Sequence, residues 1–319
     1  MSEAVKTEPR IAVCSRSFSR NKVLREELLQ RCGNVRFNDE GVNLQGESLA
    51  DFISGCEMAI IGLEVVNRQL LDRLPELKVI SKYGVGLDMI DFDAMRAHGV
   101  RFGWTGGVNR RSVAELVIAF AIVMLRQVSR ANQELLGGKW IQPIGGCITG
   151  RTVGIIGCGH VGKDLVSLLR AFDCVILAHD IRDYSDFYAD NGVEPVGLDS
   201  LLGRSDIVTL HVPLDSSTRG ILSAERLAIM RPTSILINTA RGGLVDEQAL
   251  KEMLQDGRLV GAASDVFSVE PPEDSELIKL PNFFGTPHIG GSSEEAILAM
   301  GRAAISGLTN NQVPTGNLA

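Results

Sequence analysis

Three residues in the second half of the chain have side chains that could together move a proton and hold a carboxylate. His288 lies in Thr-Pro-His-Ile-Gly-Gly, a segment bounded by proline and glycine where an imidazole has little structural use. It is therefore the best acid/base candidate among the five histidines. Arg241 could grip a carboxylate with two hydrogen bonds and polarise the neighbouring ketone, and Glu270 could fix the tautomer of the histidine. Beside a nicotinamide, this set predicts the reduction of a 2-keto acid.

Each of these side chains also has a plainer interpretation. Glu270 precedes Pro271 and could simply anchor its loop, and Arg241 could be an exposed loop arginine. The remaining histidines have structural explanations, which are a helix C-terminus for His98, a glycine loop for His160, and the ends of strands for His179 and His211.

A glycine-rich loop provides a place for a nicotinamide cofactor. Gly157, Gly159 and Gly162 form Gly-x-Gly-x-x-Gly directly after a predicted strand, 152–156, and at the start of a predicted helix, 161–172. The first glycine allows a tight turn, the second lets a pyrophosphate approach the backbone, and the third lets helix and strand pack closely. The helix N-terminus adds free amides for the phosphates.

The acidic residue that follows this loop predicts which cofactor binds. Asp180 ends the next predicted strand, where it would accept hydrogen bonds from both ribose hydroxyls and repel a 2′-phosphate, so NAD is favoured over NADP. Arg182, two residues later, weakens that exclusion. His160 would face the phosphates or solvent. Val212 and Pro213 would border the adenine, although a strand-ending turn explains the proline equally well.

These residues depend on strands and helices that alternate through most of the sequence. The first series has predicted strands at 11–14, 58–61, 78–81 and 100–104, with helices at 21–30, 47–54, 67–73 and 92–98. The second series has strands at 152–156, 175–179, 207–211, 234–238, 261–265 and 283–285. Such alternation is typical of parallel α/β sheets. Because ligands bind beyond the carboxyl ends of parallel strands, the glycine loop, Arg241, Asp265 and the Glu270 loop should meet in one crevice.

Two Ser-x-x-Glu sequences predict helix N-termini. Ser112 to Glu115 predicts a helix that runs to about Gln127, and Ser292 to Glu295 predicts a final helix that runs to about residue 308. The first of these helices contains the most apolar run of the chain, 113–125. That run includes Glu115 and is shorter than the ~20 residues that a bilayer requires, so no membrane span is expected.

The composition excludes several other classes of protein. Thirty-two basic against thirty-nine acidic residues leave a net charge of −7, which argues against a nucleic-acid-binding protein. The six cysteines are scattered without metal-ligand spacing, which predicts reduced thiols and no metal. Residues 1–10 are polar and mixed in charge, so no secretory signal is expected and the cytoplasm is the default location.

Ordered motifs between about residues 77 and 291 make the sequence resemble a known family. They are Lys-Val-Ile-Ser-Lys-Tyr-Gly-Val-Gly-Leu-Asp at 78–88, the segment 109–115, the glycine loop, the segment 238–247 and the His288 segment. The sequence is similar to the D-isomer-specific 2-hydroxyacid dehydrogenase family, most closely to its phosphoglycerate dehydrogenase-like branch. The resemblance implies an NAD-dependent oxidoreductase with Arg241, Glu270 and His288 as catalytic residues.

The resemblance also implies where the ligands bind. Asp265 would hold the nicotinamide carboxamide, and the amides of Gly84 and Val85, together with Arg241, would meet the carboxylate of a 2-hydroxy or 2-keto acid. The expected cofactor contacts are Gly157, Gly159, His160, Val161, Gly162, Asp180, Val212, Pro213, Thr239, Ala240, Asp265 and Gly290.

The family layout implies two Rossmann-like domains in an α/β chain. A flavodoxin-like substrate domain would comprise residues 1–105 and 291–319, with a doubly wound NAD-binding domain, 106–290, inserted into it. The resemblance further implies a homodimer formed through the NAD-binding domain.

One segment departs from the phosphoglycerate dehydrogenase pattern. That branch commonly has a basic residue to meet the substrate phosphate, whereas this sequence has Gly-Leu-Glu-Val-Val at 62–66, with Glu64 at its centre. Whether the substrate is phosphorylated therefore stays open, with Arg68 or a partner subunit as possible substitutes. The alternatives are a hydroxypyruvate or glyoxylate reductase and, in another class, an NADH-sensing, corepressor-like binding protein.

Overall fold

The computed structural model describes residues 9–272 and 276–314. Most of the N-terminal segment that predicts the absence of a secretory signal lies outside the described residues. The chain forms two compact units: unit 1 comprises Met1–Asn109 and Glu294–Ala319, and unit 2 comprises Arg110–Ser293. The family layout places the corresponding boundaries near residues 105 and 290.

Both units are built from short strands and helices. The strands are β1 Ile11–Val13, β2 Val35–Phe37, β3 Met58–Ile61, β4 Val79–Lys82, β5 Arg101–Gly103, β6 Thr152–Ile156, β7 Val175–His179, β8 Val193–Pro195, β9 Ile207–Leu210, β10 Ile235–Asn238, β11 Gly261–Ser264 and β12 Phe283–Gly285. The helices are α1 Arg16–Arg20, α2 Lys22–Leu29, α3 Gly46–Ile53, α4 Arg68–Asp72, α5 Phe92–Ala97, α6 Arg110–Leu125, α7 Val128–Leu136, α8 His160–Arg170, α9 Ser185–Asn191, α10 Leu198–Arg204, α11 Ala224–Leu227, α12 Glu247–Gln255 and α13 Glu294–Gly307. Two 3₁₀ turns span Gly242–Leu244 and Leu277–Lys279.

Unit 1 contains a five-stranded parallel sheet in the order β2-β1-β3-β4-β5, which is the order of flavodoxin-like sheets. The last helix, α13, packs on β4 and β5. There Ser81 Oγ donates to Ala304 O (2.6 Å), and a side chain at Gly103 would overlap Gly307 O. The sequence pattern does not predict β2, because its three half-buried residues form no distinct apolar run.

Unit 2 contains a seven-stranded parallel sheet in the order β12-β11-β10-β9-β6-β7-β8. The chain leaves β6 towards β7 on one side and reaches β9 on the other, which makes the point between β6 and β9 the switch point of a doubly wound sheet. Helix α6 buries Val117 and Phe120 in the same hydrophobic cluster as Ile155 of β6. The two parallel sheets with interleaved helices confirm the predicted α/β class.

The first predicted helix N-terminus is wrong. Helix α6 begins at Arg110, so Ser112 lies inside it, and the Ser112 hydroxyl donates to Gly290 O (2.7 Å). The helix ends at Leu125, and α7 follows after Gln127, whose φ is 51°. The Ser-x-x-Glu spacing alone does not distinguish a capping serine from one that makes a tertiary hydrogen bond.

No single helix among the described residues is long and apolar enough to cross a membrane. The pair α6 and α7 meets the length and composition requirement only when both helices are counted, and the two are bent by 61°.

Candidate active site and dinucleotide-binding loop

The glycine loop of unit 2 is a tight turn between β6 and α8. Gly157 has φ +94°, and its amide donates to His179 O (2.8 Å). A Cβ on Gly157 would lie 2.7 Å from Val212 Cγ1, and one on Gly162 would overlap Gly157 O. A Cβ on Gly159 would meet no atom of the described chain within 4 Å. Two of the glycines therefore permit close packing of the protein, and the third leaves space for a ligand.

Helix α8 opens directly on this space. Its first residue is His160, whose side chain is exposed, and Lys163 N donates to Gly159 O (3.0 Å). The amides of His160, Val161 and Gly162 precede that bond. They are the N-terminal helix amides that favour an anion, and the helix dipole adds to that preference.

Asp180 follows β7 and is tied to the glycine loop. Its Oδ2 accepts from Cys158 N (2.6 Å), and its Oδ1 accepts from Arg182 N (2.8 Å). A cavity of about 170 Å³ lies beside it and is lined in part by Tyr184 and Tyr188. Burial raises the pKa of the Cys158 thiol to about 11, so this buried side chain is neutral and adds no negative charge beneath the loop.

The loop after β10 is shaped by the side chain of Asn238. Asn238 Nδ2 donates to Arg241 O (2.7 Å), and its Oδ1 accepts from Ala240 N (3.0 Å). A side chain at Gly242 would overlap the backbone of Phe267, so the Arg241 loop lies directly against the segment that leads to Glu270. Asn238 thus sets the turn that carries the arginine.

Asp265 holds the segment that contains His288. It is fully buried, and its Oδ1 accepts from Thr286 Oγ1 (2.5 Å) and Ile289 N (2.7 Å). Its Oδ2 accepts from Gly290 N (2.7 Å), and its backbone carbonyl accepts from His288 N (2.8 Å). These four hydrogen bonds fix the backbone on both sides of His288, which has φ 53°, a left-handed conformation that is uncommon for a residue with a side chain.

His288 and Glu270 form the predicted pair. His288 Nδ1 donates to Glu270 Oε2 (2.8 Å), and Glu270 Oε1 accepts from Phe267 N (3.0 Å). A carboxylate on Nδ1 keeps a proton on that nitrogen. This leaves Nε2 as the ring nitrogen that can exchange a proton with a ligand. The side chains of His288 and Glu270 are 43% and 37% exposed, so a substrate can reach the pair.

Two residues that shape this site were not predicted as site residues, although they begin and end the motif 238–247. Glu247, in the first turn of α12, accepts hydrogen bonds from Ser268 N (2.6 Å) and Ser268 Oγ (2.9 Å), so it clamps the segment between Phe267 and Glu270. From the sequence, Asn238 is predicted only as the last residue of a buried strand. An acid in the first turn of a helix and an amide at a strand end are both ordinary, and only their partners in the fold show what they do.

Three of the other four histidines have structural partners. His211 Nε2 lies 3.0 Å from Thr209 Oγ1, and burial lowers the pKa of His211 to about 3, so it is neutral at physiological pH. His179 Nδ1 lies 3.2 Å from Val196 O. In unit 1, His98 Nδ1 contacts Ala94 O (2.8 Å) and Nε2 contacts Asp72 (2.8 Å). Among the described residues of unit 2, His288 is the histidine that is paired with a carboxylate.

The remaining predicted residues lie at the carboxyl ends of strands. In unit 2, Thr239 follows β10, and its buried Oγ1 has no hydrogen-bond partner in the part of the chain that the structure describes. Pro213 O accepts from Thr218 Oγ1 (2.6 Å) in the turn after β9. In unit 1, Gly84 has φ +115° just after β4, and Val85 O accepts from Trp104 Nε1 (3.2 Å).

Unit 2 therefore has the features that a dinucleotide requires. The space beside Gly159, the N-terminal amides of α8 and the carboxylate of Asp180 match a pyrophosphate followed by a ribose. The unpaired hydroxyl of Thr239 is a buried polar group that a bound ligand would satisfy. Within the described residues, no group of histidine, cysteine, aspartate or glutamate side chains could hold a metal ion.

Comparisons with known proteins agree on one family. Residues 118–290 match the model of the D-isomer specific 2-hydroxyacid dehydrogenase, NAD binding domain. The D-3-phosphoglycerate dehydrogenase of Methanocaldococcus jannaschii is 36% identical over 279 residues, which cover 86% of this chain and 53% of that protein. The hydroxypyruvate reductase of Thermotoga maritima is 36% identical over 260 residues, which cover 80% of this chain and 84% of that protein.

A solved structure has the same fold over nearly the whole chain. The glyoxylate reductase from Paecilomyes thermophila superposes with a TM-score of 0.85 at 25% identity, and the match covers 98% of this chain and 97% of that one. The chain spans about half the length of the Methanocaldococcus relative.

Proposed function

Because the chain belongs to the D-isomer-specific 2-hydroxyacid dehydrogenase family, in its phosphoglycerate dehydrogenase-like branch, we propose that it is an NAD-dependent D-2-hydroxyacid dehydrogenase. The observation that carries this proposal is the contact of 2.8 Å between His288 Nδ1 and Glu270 Oε2, in the same unit as the glycine loop. An acid/base histidine and a dinucleotide loop are the two parts that the reaction requires.

The cofactor would be held by the glycine loop and by the polar groups around it. The amides of α8 would bind the pyrophosphate, Asp180 would accept from the ribose hydroxyls, and Thr239 Oγ1 would gain a partner. Asp265 uses three acceptor positions of its carboxylate on the His288 segment, and a further lone pair is compatible with the nicotinamide carboxamide. The bound cofactor would supply a hydride as NADH when the keto acid is reduced, and would accept one as NAD when the hydroxy acid is oxidised.

The side chains of unit 2 would carry the proton and the charge. As hydride reaches the keto carbon, the proton on His288 Nε2 passes to the keto oxygen, and a hydroxyl results. Glu270 keeps the other proton on Nδ1 and stabilises the imidazolium before the transfer. Arg241 would bind the substrate carboxylate and polarise the ketone. The amides of Gly84 and Val85, in unit 1, are the further proposed donors to that carboxylate.

The proposed assembly is a homodimer formed through unit 2. Helix α7 has no fully buried residue among those that the structure describes, and apolar side chains are exposed along it and after it. Leu136, Trp140 and Ile144 are 80%, 81% and 95% exposed. Several large exposed apolar side chains within one short segment favour a protein partner, and a second copy of the chain is the partner that the family layout implies. Analytical ultracentrifugation of the wild type and of Trp140→Glu would measure the oligomeric state. We expect a dimer for the wild type and a weakened dimer for the variant, and a monomeric wild type would contradict the proposal.

We also propose the cytoplasm as the place where the protein works. All six cysteines are free thiols in the structure, as expected in a reducing compartment.

The absorbance of NADH, followed over a panel of 2-keto acids, tests the proposed activity. We expect turnover of at least one of glyoxylate, pyruvate, hydroxypyruvate and 3-phosphohydroxypyruvate, and in the reverse direction oxidation of the D but not the L hydroxy acid. Tight binding of NADH without turnover of any substrate would contradict the proposed enzymatic activity and support the alternative, a corepressor-like binding protein.

A further inference from the structure

A cluster of polar side chains lies at the switch point of the sheet in unit 1. The chain leaves β1 towards β2 on one side and reaches β3 on the other, so the region beyond the carboxyl ends of β1 and β3 is where such sheets bind ligands. Ser15 follows β1, Gly62 follows β3, and Lys82 ends β4. Ile61 pairs with Lys82 across the sheet, which brings these strand ends side by side.

Lys82 is built into this cluster. Only 3% of it is exposed, and its Nζ donates to Gly62 O (2.5 Å) and Tyr83 O (3.3 Å). A Cβ on Gly84 would lie 3.2 Å from the same Nζ. The ammonium group therefore fixes the loop after β3 and lies beside Gly84, whose amide is a proposed donor to the substrate carboxylate.

Glu64 lies on the loop that follows β3 and folds back onto its first residue. Its Oε2 accepts from Gly62 N (2.5 Å), a backbone amide at the carboxyl end of β3. The Glu64 charge also acts on Cys14 at the end of β1, whose thiol pKa is raised by burial first and by Glu64 second. The carboxylate is thus turned towards the strand ends, and it uses a backbone donor that an anionic substituent of a substrate would otherwise need.

Arg68, the basic residue that could have replaced the missing phosphate-binding side chain, interacts with a different part of unit 1. Arg68 begins α4 and is exposed, and its charge acts on His98 at the C-terminal end of α5. Around Gly62, Glu64 Oε2 accepts from its amide and Lys82 Nζ donates to its carbonyl oxygen, while Ser15 Oγ would lie 3.1 Å from a Cβ on Gly62. A carboxylate and a hydroxyl can accept and exchange hydrogen bonds with a neutral hydroxyl, but a carboxylate repels a phosphate group, which carries nearly two negative charges at pH 7.

We infer that Glu64 determines substrate specificity, selecting 2-keto acids whose C3 substituent is a neutral hydroxyl and rejecting those whose C3 substituent is a phosphate. The inference rests on the proposed function and names the substrate class within it. The relatives named above include one phosphoglycerate dehydrogenase and one hydroxypyruvate reductase, so similarity alone does not choose between the two classes.

The test compares two substrates that differ only in the phosphate. The value of kcat/KM with NADH is measured for hydroxypyruvate and 3-phosphohydroxypyruvate, in wild type, Glu64→Gln and Glu64→Ala. For wild type we expect a preference of about 10²-fold or more for hydroxypyruvate, because like charges brought together strongly disfavour the wrong ligand. Glu64→Gln keeps an acceptor for Gly62 N and removes the charge, so it should raise kcat/KM for the phosphorylated substrate about tenfold.

Glu64→Ala also frees the amide of Gly62 and should raise that value at least as much. Glu57→Gln is the matched control, because Glu57 precedes β3 at the opposite end of the strand and pairs there with Lys78. It should leave the ratio of the two kcat/KM values unchanged.

Several outcomes would overturn the inference. They are a wild-type preference for the phosphorylated substrate, or a ratio that Glu64→Gln and Glu64→Ala leave unchanged although both variants fold and bind NADH normally. Failure of the inference alone shows as turnover with a ratio that does not depend on residue 64. Failure of the proposed function shows as no turnover of any 2-keto acid, and it overturns both.

Discussion

The chain contains two Gly-x-Gly loops after parallel strands, one in each unit, and they are built for different anions. In unit 2, Gly157-Cys158-Gly159 leads at once into α8, whose N-cap is a glycine without a side chain to satisfy the helix amides. In unit 1, Gly84-Val85-Gly86 is followed by α5 only at Phe92, and the Asp91 side chain already accepts from Ala94 N (2.8 Å). The same motif therefore presents an open helix N-terminus in one case and isolated loop amides beside a buried lysine in the other.

This difference supports the proposals that the pyrophosphate binds in unit 2 and that the loop of unit 1 donates to the substrate carboxylate. Each proposal predicts that one kinetic or binding constant changes while the others do not.

The largest effect should follow the loss of the acid/base group. His288→Asn should lower kcat by at least ~10²-fold, because general acid catalysis is lost while the cofactor loop stays intact. The dissociation constant of NADH, measured by fluorescence titration, should stay within about twofold of wild type. His98→Asn, a histidine change in unit 1, is the control. Near-normal turnover of His288→Asn would remove this residue from the proposed role.

Two glycines of the unit 2 loop should respond differently to the same methyl group. Gly159→Ala places its Cβ where the described chain has no atom within 4 Å, so we expect normal thermal stability and NADH binding weakened about tenfold or more, as for a lost close contact. Gly162→Ala would overlap Gly157 O and should destabilise the fold by about 1–3 kcal/mol. Calorimetry and NADH titration separate the two. Equal stability losses would contradict the assignment of the open space to the cofactor.

The loop of unit 1 should affect the substrate and not the cofactor. Gly84 has φ +115°, so Gly84→Ala strains the loop and displaces its amides, and KM for the keto acid should rise about five- to tenfold, as for a lost hydrogen bond. Gly99→Ala is the matched control, since Gly99 also has positive φ and a Cβ there would meet no described atom within 4 Å. If Gly84→Ala weakened NADH binding and Gly99→Ala did not, the proposal that the unit 1 loop acts only on the substrate would be contradicted.

The smallest effect concerns the choice of cofactor. Asp180→Gly removes the carboxylate that would face a 2′-phosphate, and it should narrow the ratio of kcat/KM for NADH over NADPH by about fivefold, or ~1 kcal/mol of repulsion. An unchanged ratio would show that another group governs the choice, and Arg182→Ala would test the nearest candidate.

Local patterns in the sequence predicted much of this arrangement. The glycine loop is visible because its spacing, the preceding apolar strand and the acid after the next strand lie within thirty residues of one another, so short-range geometry dictates them. Strands such as Met58–Ile61 and Thr152–Ile156 were predicted at their observed bounds, because buried parallel strands are continuous apolar runs. Strand β2, helix α7 and the role of Ser112 were not, since each depends on contacts with distant parts of the chain.

By itself the sequence determined the α/β class and the dinucleotide loop and predicted the types of the proposed acid/base residues, because periodicity, glycine freedom and side-chain chemistry are local properties. Only the tertiary structure decided that Asp265 holds the His288 segment, that Asn238 and Glu247 shape the loops beside it, and that Glu64 turns onto the Gly62 amide. The physical reason is that a carboxylate or an amide has the same chemistry wherever it stands in the sequence. The donors that the fold brings within about 3 Å of it decide whether it binds a ligand, orients a base or fixes a loop.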